Sequence, residues 1–83
     1  MSTIQMDIPD EVLISLKESP DSMAREVRIA AAVKWFELGK LSSGRAAQLA
    51  GMSRVEFLLT LGRYHVPPFA LTPDQLARDV TNA

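Results

Sequence analysis

Apolar side chains recur at three- and four-residue steps from Met23 to about Leu38, the spacing of an amphipathic helix. Ala24, Val27, Ala31, Trp35 and Leu38 fall on one face, and Ile29, Val33 and Phe36 form a second stripe on another. Only the strip through Glu26, Lys34 and Glu37, with Arg25 and Arg28, is clearly polar. The start signal is Ser19-Pro20-Asp21-Ser22: either Ser19 caps with Pro20 at the first helical position, or Asp21 or Ser22 caps one step later. Gly39 is placed to end the helix in a left-handed conformation.

Before this helix the period changes. In Thr3-Ile4-Gln5-Met6-Asp7-Ile8 the apolar residues Ile4, Met6 and Ile8 alternate with polar ones, which predicts a half-buried β-strand. Pro9 stops the strand and opens a short helix through about Lys17, with Asp10 and Glu11 at its positive end and Val12, Leu13 and Leu16 as its apolar stripe. After Gly39, Ser42 or Ser43 caps a short helix ending at Gly51, and Ser53 caps another from Arg54 to about Arg63. Two short helices around a glycine turn predict a helix-turn-helix at about 42–64. Beyond Pro67-Pro68, Thr72-Pro73-Asp74-Gln75 predicts the cap of a short C-terminal helix holding Leu76 and Val80. The expected architecture is mainly α, an N-terminal β-strand followed by about five helices. Residues 1–70 form the strand and helical bundle, and 71–83 the C-terminal helix.

Size turns this pattern into an argument about partners. A chain of 83 residues buries roughly 60–65% of its unfolded surface, which leaves a lone domain marginal. There is no cysteine and one histidine, His65, so neither disulfides nor a zinc site is expected to stabilise the chain. A partner chain is the remaining stabiliser, and a homodimer is expected. Its interface is expected at the strand, Ile4 and Met6, and at the second stripe of the long helix, Ile29, Val33 and Phe36. No basic leader precedes an apolar run, and the longest apolar run, Ile29 to Val33, is too short for a membrane span. A cytoplasmic protein is expected, without membrane contact.

The net charge of −1 conceals an asymmetry. Residues 1–24 sum to −4 (Lys17 against Asp7, Asp10, Glu11, Glu18 and Asp21). Residues 25–63 sum to +4 (Arg25, Arg28, Lys34, Lys40, Arg45, Arg54 and Arg63 against Glu26, Glu37 and Glu56), and residues 64–83 to −1. A basic middle is compatible with nucleic-acid contact, and affinity carried by so small a charge falls steeply with salt. If the helix-turn-helix meets DNA, Ser53 and Arg54 read base edges, and Arg45 or Arg63 lies near phosphates. The rival reading is a hairpin that merely packs. Leu58 and Leu59 stand where a recognition helix shows polar groups, and Thr60 stands where a core residue is usual. The strand, helix and long helix also fit a ribbon-helix-helix dimer with Thr3, Gln5 and Asp7 in the groove, but Asp7 and the local −4 favour a clasp without DNA.

Trp35 and Phe36 read as core or interface, and His65, in the aromatic loop Tyr64 to Phe69, as an ordinary histidine without a nucleophile or paired carboxylate beside it. No phosphate-binding loop or metal-ligand spacing occurs, so no enzyme, cofactor or small-molecule substrate is expected.

Three segments together carry a resemblance: Ile4 to Val12, Arg28 to Ser42, and Gly44 to Phe57. They resemble a small prokaryotic uncharacterised protein family (of the UPF type) whose members are encoded beside PIN-domain ribonuclease toxins and are taken as VapB-like antitoxins. The resemblance implies a dimer that neutralises a cognate toxin and represses its own operon. It also implies that the tail Thr72 to Val80 is the toxin-facing segment, with Leu76, Arg78 and Val80 as its contacts. The alternative from another class is a helical dimeric protein-interaction module without DNA binding.

Overall fold

The computed structural model describes residues 1–68, whose regular elements are all helical: α1 (Asp10–Leu16), α2 (Pro20–Glu37), α3 (Ser43–Ala50) and α4 (Arg54–Leu61), with a closing 3-10 turn, Gly62–Tyr64. The C-terminal helix expected at residues 72–80 lies outside the described residues.

The N-terminal strand is corrected. Residues 3–8 form no β-structure, because a strand exists through its ladder and none of the described residues offers a second extended segment to pair with. Residues 3–8 form an arm without regular secondary structure instead. Ile4 and Met6 are 83% and 59% exposed, and Ile8 is half-buried.

Local signals explain the helix boundaries. Pro9 sits one residue before the expected position, as the cap of α1, and its carbonyl receives the Val12 N–H at 3.0 Å. Helix α1 ends at Lys17, which takes the left-handed conformation (φ 57°) without being glycine, and α1 buries no residue. At α2 the first of the alternatives holds: Ser19 caps, Pro20 is the first helical residue, and Ser19 and Ser22 close a reciprocal capping box. Gly39 (φ 76°) ends α2, with the Gly39 N–H on the Phe36 carbonyl at 3.0 Å and the Lys40 N–H on that of Trp35 at 2.8 Å.

The core is formed where α2 packs on α3 and α3 on α4. Its buried apolar members are Ile29, Ala32, Val33, Phe36, Ala46, Ala47, Ala50, Phe57, Leu61 and Val66. Four alanines let the helix backbones approach closely, and the aromatic pair Phe36–Phe57 fills the remaining wedge edge-to-face, ring centres 5.6 Å apart. The two stripes of α2 therefore divide differently from the dimer expectation. Ile29, Val33 and Phe36 are 5%, 4% and 3% exposed inside the chain's own core, which leaves them no surface to offer a second copy. The other stripe is the outward one: Trp35 and Leu38 are 44% and 54% exposed. With so few large side chains in the core, one small domain has room for a single stripe only.

Candidate functional site

The α3–α4 hairpin is built by two side-chain caps and one glycine. Ser42, not Ser43, caps α3, accepting the Arg45 N–H at 3.2 Å. Gly51 (φ 71°) closes α3 with the Gly51 N–H on Gln48 and the Met52 N–H on Ala47. Ser53 caps α4 in a full capping box: its hydroxyl accepts the Glu56 N–H at 3.1 Å, and its own N–H donates to Glu56 Oε1 at 3.2 Å. Arg28 of α2 donates from Nε to the Leu49 carbonyl at 2.7 Å, placing a cation on the negative end of α3 and tying the hairpin to the long helix. α4 is shorter than expected: it stops at Leu61, and the 3-10 turn carries Arg63 and Tyr64 to His65, which is exposed with a left-handed backbone (φ 57°).

Of the four residues expected at DNA, the structure places Ser53 and Arg54 side by side at the start of α4 and Arg45 in the first turn of α3. Arg54 Nε donates to the buried Ser43 hydroxyl at 2.7 Å, which draws the N-terminus of α4 against that of α3. Arg45, Ser53 and Arg54 are all exposed, with Arg45 Nη1 bonded to Gln48 Oε1 at 2.9 Å. Arg63 lies beyond the other end of α4, about 13 Å further along at 1.5 Å per residue. Thr60, which looks misplaced in the sequence, is 7% exposed and satisfied: its hydroxyl donates to the Glu56 carbonyl at 2.8 Å, beside Met52 Sδ.

Two electrostatic features accompany the hairpin. Hydrogen bonds from Ser53 hold the Glu56 carboxyl below the usual carboxylate range, with Arg25 adding to the effect. Burial pushes the Tyr64 phenol above its ordinary value, and the Glu26 carboxylate acts in the same direction. Because Glu56 is depressed in the fold, its contribution to stability is full above its unfolded pKa and is lost as pH falls through the lower folded one. Acid titration of the Glu56→Gln variant should therefore show a weaker loss of stability below pH ~4.3 than the parent chain shows. Ser53→Ala should cost about 1 kcal/mol in urea melts at neutral pH, since the Glu56 N–H loses its cap.

Missed in the sequence reading is a second surface. Val55 and Leu59 point outward from α4, 67% and 75% exposed, four residues apart on one face. Their i, i+4 spacing was the available signal. A groove of about 360 Å³ also lies between the N-terminal arm, α1 and the first half of α2, lined by Ile4, Met6, Leu13, Met23, Ala24 and Val27 among others. Ile4 and Met6, expected at the dimer contact, form one wall of it. Leu76, Arg78 and Val80, expected at a partner protein, lie outside the described residues. Among the described residues no cluster of metal-ligating side chains is found, and no helix is long and apolar enough to cross a membrane.

A family model described as "Uncharacterised protein family (UPF0175)" matches residues 1–83. The chain belongs to this family. Two UPF0175 proteins of Aeropyrum pernix are similar to it. One is 39% identical over 56 residues, 68% of this chain and 71% of the relative. The other is 35% identical over 57 residues, 69% of this chain and 64% of the relative. No solved structure matches the chain.

Proposed function

We propose that this UPF0175 chain is an antitoxin-like small regulator, cytoplasmic and without catalytic activity. It binds its own operator DNA through the α3–α4 hairpin and neutralises a PIN-type ribonuclease toxin through the segment after residue 70. The observation that carries the DNA half is the pair of capped helices around the Gly51 turn, with Arg45 exposed on the first turn of α3 and Ser53 and Arg54 exposed at the start of α4, where Arg54 bonds Ser43. The toxin half rests on the family resemblance.

A gel-shift titration against the DNA upstream of the protein's own gene tests the first half. Retardation at low salt should weaken steeply as salt rises, and the Arg45→Gln/Arg54→Gln variant should bind roughly tenfold or more weakly than the parent. Absence of retardation at low salt overturns this half. Inhibition of a neighbouring PIN-type nuclease by the full chain, lost on truncation after residue 70, tests the second.

One observation favours the alternative, a protein-interaction module without DNA. The outer face of α4 shows Val55 and Leu59, where a base-reading helix carries polar groups, and the carboxylate of Glu56, bonded to Ser53, adds a negative charge to the first turn of that helix. On this reading Val55→Ser/Leu59→Ser abolishes capture of the partner, while no variant of Arg45 or Arg54 alters an operator shift.

A further inference from the structure

The described residues hold about as much large apolar surface outside as inside. Ten large hydrophobic side chains are exposed, and the core of ten apolar residues includes four alanines. Four of the exposed ten, Ile4, Met6, Trp35 and Leu38, are arranged as a knob and a hole. The hole is the groove of about 360 Å³ walled by Ile4, Met6 and Leu13, its floor Ala24 and Val27 of α2. The knob is Trp35 and Leu38 at the other end of the same outward stripe.

We infer that the occupant of this groove is a second copy of the chain, joined through an antiparallel α2–α2 seam centred on Ala31. The register follows from the stripe itself. Val27 and Trp35 lie four residues either side of Ala31, and Ala24 and Leu38 lie seven either side. A two-fold axis at Ala31 therefore sets each large residue against a small one: Trp35 against Val27, Leu38 against Ala24, Ala31 against its twin. This alternation is the requirement for interdigitated helices. A parallel seam would instead stack Trp35 on Trp35 and leave alanines facing alanines at the other end. The seam runs along an 18-residue helix, about 27 Å at 1.5 Å per residue.

Charge selects the same arrangement and the same partner. The arm and α1 that wall the groove belong to residues 1–24, whose charges sum to −4, with Asp7 on the arm and Asp10 and Glu11 opening α1. The knob belongs to the segment that sums to +4. Lys34 and Lys40 bracket it, and Glu37, 2.7 Å from Lys34, offsets part of that charge. In the antiparallel dimer acidic meets basic twice, whereas a parallel one sets −4 against −4. Each copy contributes one knob and one hole, so the contact is isologous and closes at two. The inference is independent of the operator reading, since Trp35 and Leu38 are exposed on the outward stripe of α2, whereas Ile29, Val33 and Phe36 on its other stripe are buried in the core with α3 and α4.

Sedimentation of the full chain, with the emission of its single tryptophan followed on dilution, tests the inference. A dimer is expected at micromolar concentration, with Trp35 emission shifting to the red as it dissociates and association weakening with salt. Val27→Glu should weaken association roughly tenfold or more with unchanged circular dichroism. Because Val27 is half-buried, a second experiment uses exposed charges only. Asp7→Lys/Asp10→Lys and Lys34→Glu/Lys40→Glu should each be poor homodimers and should form a heterodimer when mixed. A monomeric parent chain, a dimer whose Trp35 emission ignores dilution, or charge variants that fail to prefer each other would overturn it.

Discussion

Phe57→Ala should lower the stability of this chain by about 3–5 kcal/mol, the cost of removing a fully buried aromatic ring and leaving a cavity. Phe57 is 0% exposed and meets Phe36 edge-to-face, so it joins the hairpin to the long helix. Stability of about 0.05–0.15 kcal/mol per residue gives a chain of 83 residues about 4–12 kcal/mol in all. The substitution thus consumes a large share of the total, and the variant should be partly unfolded at 37 °C. Urea melts followed by far-UV circular dichroism measure the loss. A double-mutant cycle with Phe36→Leu should return a coupling of about 0.5–1.5 kcal/mol from the ring pair itself. A loss below about 1 kcal/mol would mean that the hairpin does not depend on this wedge.

The same residues mark what the sequence could and could not disclose. Boundaries set by local chemistry were legible: Ser19 before Pro20, Gly39 and Gly51 in left-handed backbone, Ser53 three residues before Glu56. Each acts within one helical turn and needs no distant partner. Elements whose existence depends on what they pack against were not legible. Alternation at Ile4, Met6 and Ile8 is equally compatible with a strand and with an arm laid beside a helix, and only the absence of a pairing edge among the described residues separates them. Likewise the two stripes of α2 are both apolar, and period alone does not say which faces the core. Volume decides: α3 presents Ala46, Ala47 and Ala50, and the bulky Ile29, Val33 and Phe36 fit against that flat surface. The candidate site was legible in part for the same reason. Arg45, Ser53 and Arg54 belong to local caps and turns, whereas Arg63 lies beyond the far end of α4, and the outward Leu59 was read only as a departure from a motif.

That flat alanine surface makes the opposite experiment informative. Ala46→Leu adds three carbons at a position that is 0% exposed, between α3 and helices that already touch it. Overpacking of this kind costs about 1–3 kcal/mol in ordinary cores, and here the cost should reach about 3 kcal/mol. Ala32 on α2 is also 0% exposed, so relief requires one helix to move as a body rather than one side chain to turn. Movement of α3 would also stretch the 2.7 Å bonds from Arg28 to the Leu49 carbonyl and from Arg54 to Ser43. The variant should therefore melt roughly 12–24 °C lower, at 4–8 °C per kcal/mol for a domain of this size. Gln48→Leu, an insertion of apolar bulk on the exposed side of the same helix, should shift the transition by less than about 4 °C, within the range usual for surface substitutions. Equal shifts for the two variants would remove the close approach of α2 and α3 as the feature that holds the hairpin in place.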